Sequence, residues 1–277
     1  MNVLKILTSV LFVLAFFFIS LNKIFKNTPY AEYNSGFFEK NQLLVFQVVD
    51  PQLNFDQRQS VAMEQVKASK VISNAEIPST VSIQRGFHYD LVEISEGKFQ
   101  VQKSSFEKDQ TSVRREGRMQ TAMTQTAGVE LIPFLKEHSD DRILLRILSN
   151  NEDMHQRLSQ LIANAKIPDF EKHFLFYGPY QNVILSLKDL QPSWMFGSSF
   201  VDAIRWNIWK GFFLLPVASL KSDVWISPLQ LKKRSLIDSE IMTELHRRYK
   251  KVILGPLESQ DDWKSLGELP EGIILLD

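Results

Sequence analysis

A histidine and an aspartate two positions apart are the best candidates for acid–base chemistry in this chain of 277 residues. His88-Tyr89-Asp90 could supply an imidazole and a carboxylate, groups that commonly move protons in catalysis. The competing interpretation, which we favour, makes the tripeptide the entry to a hairpin with an exposed His88. A hairpin pattern follows it, with a turn at Ser95-Glu96-Gly97 between Asp90–Ile94 and Lys98–Gln102.

The remaining histidines do not indicate a metal centre. No two of them stand at the H-x-x-x-H spacing typical of a metal-binding helix, so we expect them to be exposed or hydrogen-bonded locally. They are His138, His155, His173 and His246. We predict no metal and no cofactor.

The composition excludes several classes of protein. The chain has no cysteine, which excludes disulfides, thiol catalysis and thiolate metal sites. Its 32 basic and 32 acidic residues cancel, so no overall field attracts nucleic acid. The sequence also lacks a Gly-x-Ser-x-Gly elbow, a P-loop and a glycine-rich dinucleotide fingerprint.

Strand–helix–strand units indicate the architecture that would position a site. The clearest closes the chain, where Asp261-Asp262-Trp263 is predicted to open a helix between two strands, a crossover that suits parallel strands. Length and a hydrophobic content of 44% suit one barrel of about 250 residues. We predict a TIM-type (β/α)8 barrel of α/β class. Its five clearest strands, all parallel, are Leu43–Val49, Arg142–Leu148, His173–Tyr177, Val252–Leu254 and Gly272–Leu275.

Further strand candidates exceed the eight positions of a barrel, so some are wrong or belong to hairpins. They are Ile77–Ile83, Trp194–Gly197, Phe213–Val217, Val224–Ile226 and the two hairpin arms. Between the hairpin and the next predicted helix, Lys103–Gly128 is polar and poor in apolar residues. A stretch of that length is either a functional loop or a disordered insertion.

The N-terminus predicts membrane attachment. Ile6–Leu21 is an uncharged apolar run of 16 residues, and with Val3 and Leu4 it is just long enough to span the hydrocarbon. Cleavage nearer Ala31 is the alternative, although no A-x-A-like site follows the run. We predict an anchor at residues 1–25, a linker at 26–40 and a barrel domain at 41–277. The membrane is then a partner through Ile6–Leu21, and we expect the soluble domain to be exported, to the periplasm or the exterior.

An aromatic cluster has two interpretations. Trp206, Trp209, Phe212 and Phe213 follow one another at spacings that suit packing in the core, which we favour. The alternative is an interfacial patch resting on the bilayer beside the anchor.

Three segments of the scaffold carry a family resemblance. In Gly128–Ile147 a short helix leads into an apolar strand, and in Lys172–Gly197 a strand and a helix precede a proline and a short strand. Lys251–Asp277 closes the chain with a strand, a helix and a strand. Together they resemble the glycerophosphodiester phosphodiesterases, a TIM-barrel family of the phospholipase-C-like superfamily, over most of residues 43–277.

The resemblance implies phosphodiester cleavage by two histidines and a divalent cation held by carboxylates. The family has a His-Arg-Gly after its first strand, where this chain has Val48-Val49-Asp50-Pro51. It has a Glu-x-Asp after its second strand, which Ser79–Ile83 lacks. Gln84-Arg85-Gly86 resembles the His-Arg-Gly with Gln for His, but it comes at a later strand. We therefore predict no catalytic residue.

Two other motif positions carry cations. Glu96–Ser104 resembles the family's Asp-Gly-x-Leu-Val-Val-x-His-Asp and has Lys103 in place of the His, and Arg146-Ile147-Leu148 is the nearest match to its Glu-x-Lys. If Lys103 and Arg146 both point into the mouth of the barrel, they would repel a metal ion yet hold a phosphate directly. The alternative is an outward-facing Arg146 and a Lys103 in a mobile loop.

Three classes of function remain open. The first, which we favour, is a membrane-anchored barrel that has lost its chemistry and acts as a binding or scaffold module for a phosphate-bearing small molecule or lipid headgroup. The second is an active phosphoric diester hydrolase of phospholipid-headgroup metabolism that uses substituted residues. The third is an unrelated envelope protein of α/β class. Carboxylates that converge with a histidine at the strand ends would favour the second class, and a cationic mouth favours the first.

Overall fold

A computed structural model describes most of the chain from Gly36 to Leu275. The described residues are 36–39, 42–53, 55–68, 78, 80–104, 128–228, 230–231, 234–257, 266 and 269–275, with 16, 17, 20 and 23 described singly. Most of the predicted anchor Ile6–Leu21, most of the linker, most of Lys103–Gly128 and the helix opened by Asp261 fall outside these residues. No helix in the described part is long and apolar enough to cross a membrane.

Strands and helices alternate along most of the described chain. The strands are β1 (Gln42–Gln47), β2 (Ser82–Ser95), β3 (Lys98–Lys103), β4 (Val129–Glu130), β5 (Ile143–Ile147), β6 (Phe174–Tyr177), β7 (Met195–Phe196), β8 (Val224–Ser227), β9 (Gln230–Leu231), β10 (Arg234–Ser235), β11 (Lys251–Leu257) and β12 (Gly272–Leu275). The α-helices are α1 (Phe55–Ala68), α2 (Leu131–Glu137), α3 (Met154–Ala165), α4 (Phe170–His173), α5 (Gln181–Leu190), α6 (Phe200–Gly211) and α7 (Ser239–Arg247).

Eight parallel strands follow one another around the sheet in chain order: β1, β2, β5, β6, β7, β8, β11 and β12. β12 pairs with β1, so the last strand lies against the first. Between β7 and β8 the contact narrows to a bridge from Gly197 to Val224 and two backbone hydrogen bonds. The sheet is a nearly closed barrel, consistent with the predicted TIM-type fold. We call the edge at the C-terminal strand ends the mouth and the opposite edge the base.

The five clearest strand candidates are confirmed as parallel members of this sheet, namely β1, β5, β6, β11 and β12. Two other predictions are wrong. Ile77–Ile83 is not a separate strand, and the confirmed hairpin arm Asp90–Ile94 is the end of a longer one, because β2 runs unbroken from Ser82 to Ser95. It pairs with β1 and β5 inside the barrel and then continues into a hairpin with β3. Phe213–Val217 is not a strand, and Leu215–Val217 forms a 3-10 turn around Pro216, which has no N–H to give to a sheet.

Apolar side chains fill the barrel and also cover its outside. Both faces of parallel strands are buried in such folds, which explains their continuous apolar runs. Two outer clusters join the strands to the helices. The inner cluster comprises Phe37, Leu44, Phe46, Leu144, Leu175, Met195, Val224, Ile226, Ile253 and Ile274.

Gly86 makes room for the ring of Phe46, a member of this inner cluster. A Cβ added at Gly86 would lie 2.7 Å from two ring carbons of Phe46 and 2.9 Å from the backbone oxygen of Arg142. Packing therefore explains why the third residue of Gln84-Arg85-Gly86 is a glycine, independently of any resemblance to a catalytic motif.

We predict that Gly86→Ala lowers the free energy of unfolding by about 1–3 kcal/mol, because it overfills a packed core. Gly211 is the matched control, since an added Cβ there has nothing within 4 Å. Gly211→Ala should raise the free energy of unfolding by about 0.5–1 kcal/mol, the usual gain from replacing a helical glycine. Urea unfolding followed by circular dichroism measures both, and a Gly86→Ala variant as stable as the native chain would contradict this packing account.

The aromatic cluster divides between the core and the surface. Trp206 is fully buried and its ring lies 5.2 Å from that of Trp225, as the core interpretation predicts. Phe212 and Phe213, by contrast, are 69% and 80% exposed. Core packing is therefore confirmed for Trp206 and wrong for the two phenylalanines.

Candidate functional site

Four polar side chains meet where β2, β5 and β6 reach the mouth. The parallel register puts Asp90 beside Arg146 and Arg146 beside Tyr177. His88 lies two residues before Asp90 on β2, so both side chains face the same side of that strand. Active sites of TIM barrels lie at this edge, which makes the cluster the candidate functional site.

A bidentate ion pair forms the centre of the cluster. Arg146 donates through Nε to Asp90 Oδ1 at 2.7 Å and through Nη2 to Oδ2 at 2.8 Å. The Ser104 hydroxyl donates to the same Oδ1 at 2.8 Å. The Asp90 side chain is 3% exposed and that of Arg146 is 17% exposed. The two parallel hydrogen bonds from the guanidinium compensate for the free-energy cost of burying the Asp90 carboxylate.

His88 and Tyr177 form a second pair beside the first. His88 Nε2 lies 2.6 Å from the Tyr177 hydroxyl oxygen, and His88 is fully buried. Burial, followed by the positive charge of Arg146, lowers the pKa of His88 well below 6.5. Burial also raises the pKa of the Tyr177 phenol. At neutral pH the imidazole is therefore uncharged, and the phenol keeps a proton that it can donate to the ring nitrogen.

The β2–β3 hairpin stands above the mouth and is fixed by Glu93. This buried carboxylate accepts hydrogen bonds from Arg157 Nε and Asn151 Nδ2, each at 2.8 Å, and from the Gly97 backbone N–H at 2.9 Å. Burial alone would raise the pKa of Glu93, but these hydrogen bonds hold it below its ordinary value. The Glu93 backbone N–H donates to Ser149 Oγ at 2.8 Å. The hairpin is thereby tied to α3 and to the end of β5.

Of the two predicted ligand-binding residues, Arg146 lies at the mouth. Arg146 lies beside Asp90, so the alternative that it faces outward is wrong. Lys103 is exposed at the end of β3, opposite Tyr89 in the ladder, and its neighbour Ser104 contacts Asp90. A ligand-binding role for either residue remains a prediction.

Sequence reasoning misplaced His88 and missed two of its neighbours. The favoured interpretation of His88 as an exposed hairpin residue is wrong, because β2 carries it inside the barrel before the hairpin begins. Tyr177 and Ser104 were not singled out. The signal that could have found them is positional, since Tyr177 is the last residue of the apolar strand β6 and Ser104 comes directly after β3.

The pairing of β2 with β5 shows which residues of the second barrel strand reach the mouth. The second barrel strand reaches the mouth at His88-Tyr89-Asp90 and not at Ser79–Ile83. On the resemblance, Arg146 stands at the Glu of the Glu-x-Lys.

The resemblance implies a divalent cation at these strand ends, and the residues present do not fit one. Both oxygens of Asp90 accept hydrogen bonds from the guanidinium of Arg146, which holds a fixed positive charge where a cation would have to bind. Within the described ranges, no group of three or more His, Asp or Glu side chains could hold a metal ion. A guanidinium therefore neutralises Asp90.

Solved glycerophosphodiester phosphodiesterases share this fold. A protein of Silicibacter pomeroyi assigned as a glycerophosphoryl diester phosphodiesterase has a TM-score of 0.53 at 10% identity, covering 87% of this chain and 92% of its own. The Agrobacterium tumefaciens enzyme has a TM-score of 0.50 at 9% identity, covering 84% and 96%. The glycerophosphoryl diester phosphodiesterase domain of a Mycobacterium tuberculosis protein has 0.50 at 8% identity, covering 85% and 96%. No protein-family model and no curated protein sequence matches the chain.

These comparisons confirm the predicted resemblance at the level of the fold. At identities of 8–10%, the comparisons show a shared barrel fold but do not show that the chemistry of the site is shared. What the site does has to be argued from the residues at the mouth of this chain.

We predict that Arg146→Met lowers the free energy of unfolding by about 3–5 kcal/mol, because it removes the bidentate partner of a buried carboxylate. Asp90→Asn in the same chain should recover part of that loss, giving a coupling of about 0.5–3 kcal/mol in a double-mutant cycle. The exposed pair Lys172–Asp169 is the control, with a coupling of about 0–1 kcal/mol expected. Equal coupling in the two cycles, measured by urea unfolding, would mean that the mouth pair is not buried as described.

His88 should make the stability depend on pH. Its pKa is lower in the folded chain than in the unfolded one, so the unfolded state binds more protons as the pH falls below about 6.5. Stability should fall with decreasing pH, by up to about 1.4 kcal/mol per pH unit. We predict that His88→Gln, which can still hydrogen-bond Tyr177, flattens this slope between pH 6.5 and 5. Glu93 and Glu244, whose pKa values are lowered, titrate at more acid pH. A variant with the full native slope would refute the assignment.

Proposed function

We propose that this chain is a glycerophosphodiester phosphodiesterase-like barrel that binds a phosphate-bearing anion at its mouth without cleaving it. The observation that carries the proposal is the guanidinium of Arg146, which bonds both oxygens of Asp90 where the resemblance implies a cation. The proposal goes beyond the shared fold, because the fold alone does not identify a ligand.

Arg146 has the chemistry for this role. A guanidinium carries five N–H donors, and the Asp90 carboxylate accepts from two of its nitrogens. Its side chain remains 17% exposed, so part of it is accessible from the mouth. Arginine is well suited to bind phosphate, because its N–H donors form a rigid fork and the guanidinium stays charged at any physiological pH. We assign Lys103, exposed at the end of β3, as a second cation that reaches the same ligand.

The polar groups at the mouth support binding more than hydrolysis. Cleavage of the kind that the resemblance implies needs a base, an acid and a cation held by carboxylates. Among the described cluster residues, Asp90 is the carboxylate, and it is committed to Arg146. With the cation replaced by a guanidinium, the phosphate would be held by charge-assisted hydrogen bonds alone.

One observation keeps an active phosphodiesterase as the second candidate. A neutral His88 lies at the mouth, 2.6 Å from the Tyr177 hydroxyl, and a neutral imidazole can accept a proton from an attacking water. This candidate requires hydrolysis that disappears in His88→Gln. The non-cleaving proposal requires that the native chain and the variant behave alike in such an assay.

Membrane attachment is a part of the proposal that the described residues do not test. The apolar run Ile6–Leu21 supports it, as does the absence of an A-x-A-like cleavage site after that run. We propose a single-pass anchor in residues 1–25 and a barrel displayed on the outer side of the membrane, in the periplasm or the exterior.

We predict that glycerol phosphate binds the full chain with the same affinity in EDTA as in added Mg²⁺ or Ca²⁺, because N–H donors of Arg146 would hold the phosphate in place of a metal ion. Calorimetric titration measures this affinity. Lys103→Glu should weaken binding about tenfold, equal to about 1.4 kcal/mol. Lys98→Glu is the matched control, since Lys98 is an exposed cation at the other end of β3 and should leave the affinity unchanged.

Either of two results would refute the proposal. Binding that requires a divalent cation would show that a metal, not Arg146, holds the phosphate. Equal affinities in Lys103→Glu and Lys98→Glu would remove Lys103 from the site. Arg146→Lys, which keeps the charge but loses the fork, should weaken binding without the loss of stability expected for Arg146→Met.

A further inference from the structure

Three exposed aromatic side chains lie at the base of the barrel, opposite the candidate site. Phe212 and Phe213 follow the end of α6 and are 69% and 80% exposed, and Tyr249 follows the end of α7 and is 49% exposed. α6 runs back from the mouth after β7, and α7 runs back after β8, so both helices end at the base. We call these three residues the aromatic base.

Two of the three residues stand in a backbone conformation that favours glycine. Phe213 has φ of 61° and Tyr249 has φ of 56°. Each is the left-handed residue of a Schellman motif. Phe213 N–H donates to Lys210 O and Leu214 N–H to Trp209 O, at 2.8 and 2.9 Å.

The same motif closes α7. Tyr249 N–H donates to His246 O and Lys250 N–H to Leu245 O, both at 2.9 Å. Glycine is usual at this position because L side chains are strained there. Two neighbouring helices therefore each place an exposed aromatic residue where the fold alone would favour glycine.

Hydrogen bonds from the buried Arg248 and the half-buried Lys250 hold these two helix ends together. Arg248 donates through Nη2 to the backbone oxygens of Leu215 and Pro216, at 2.9 and 2.8 Å, and through Nη1 to that of Ala218. Lys250 Nζ donates to Ser222 O at 2.7 Å. The segment after Phe213 is thus held against the end of α7. These hydrogen bonds fix the backbone that carries the aromatic base.

The N-terminal part of the chain enters the barrel at the same edge. Phe37 lies in the inner cluster just before β1, and Arg142, just before β5, donates to the backbone oxygens of Phe37 and Gly36 at 2.6 and 3.4 Å. Upstream of Gly36, 14 residues separate it from the apolar run Ile6–Leu21. At about 3.3–3.6 Å per residue they reach at most about 50 Å, which allows the base to contact a bilayer that holds that run.

Building on the membrane anchor proposed above, we propose that the aromatic base is a bilayer-docking surface, in which Phe212, Phe213 and Tyr249 enter the interface of the membrane that holds Ile6–Leu21. Aromatic side chains are favoured at the headgroup level, and the exposed Lys221, just before β8, adds a positive charge that suits anionic lipid. A second copy of the chain is the competing occupant, but neither the position of the N-terminal run nor the lysine calls for one.

The docked orientation has a consequence for the site. With the base on the bilayer, the mouth faces away from the membrane, on the opposite side of the barrel. A ligand then reaches Arg146 from the aqueous phase. This favours a water-soluble phosphate compound over a headgroup of the anchoring bilayer.

A cysteine-free chain allows a direct test. Phe212→Cys and Ile94→Cys, each labelled with a nitroxide, are compared in the full chain reconstituted into phosphatidylcholine–phosphatidylglycerol vesicles. Ile94 is the matched control, since it is 53% exposed in the hairpin above the mouth. The label at position 212 should collide more with oxygen than with a water-soluble nickel complex, as membrane-immersed labels do, and the label at position 94 should show the reverse.

A second set of variants separates docking from folding. Phe213→Gly and Tyr249→Gly, made in the Phe212→Cys chain, should raise the urea midpoint because glycine relieves the left-handed backbone. They should also return the label at position 212 towards water. A label at position 212 as aqueous as that at position 94, a chain that does not associate with the vesicles, or a label unmoved by both glycine variants would overturn the proposal. Spin–spin broadening at position 212 would assign the surface to a second copy and would overturn it too.

Discussion

The site depends on the parallel register of β2 against β5, which puts a carboxylate and a guanidinium side by side at the end of a barrel. Asp90 and Arg146 are 56 residues apart in sequence and are direct partners in this ladder. A one-residue slip would turn every side chain of the strand to its other face and separate the pair. Gly86 helps to fix β2 between its neighbours, because an added Cβ would meet the Phe46 ring of β1 and the backbone oxygen of Arg142, just before β5.

The pair changes what the mouth can recognise. A divalent cation at this edge would be held by several carboxylates and would in turn hold a phosphate. Here a single guanidinium neutralises Asp90, and the remaining groups of the cluster are an uncharged imidazole and phenol. The local charge is therefore balanced without a metal ion. In the proposals above, binding depends on the fixed geometry of Arg146, and the barrel would hold an anion at one end and contact the membrane at the other.

Much of the fold could be predicted from the sequence, because strands buried on both faces read as short apolar runs such as β1, β5 and β12. β2 was divided wrongly because Gly86, His88 and Asp90 interrupt its apolar pattern. The site could be predicted only in part. Lys103 and Arg146 came from a motif resemblance, but the partnership of Arg146 with Asp90 and of His88 with Tyr177 depends on pairing between distant strands, which spacing in the sequence does not encode.

The central claim is that the mouth holds a phosphate without hydrolysing it, and turnover of a glycerophosphodiester tests it most directly. The full chain would be incubated with a glycerophosphodiester in Mg²⁺, Ca²⁺ or Mn²⁺, and the release of glycerol phosphate would be followed by ³¹P NMR. The account predicts no release above that of a protein-free control in any of the three metal ions. Metal-dependent release that Asp90→Asn abolishes would contradict it and would show an active phosphodiesterase.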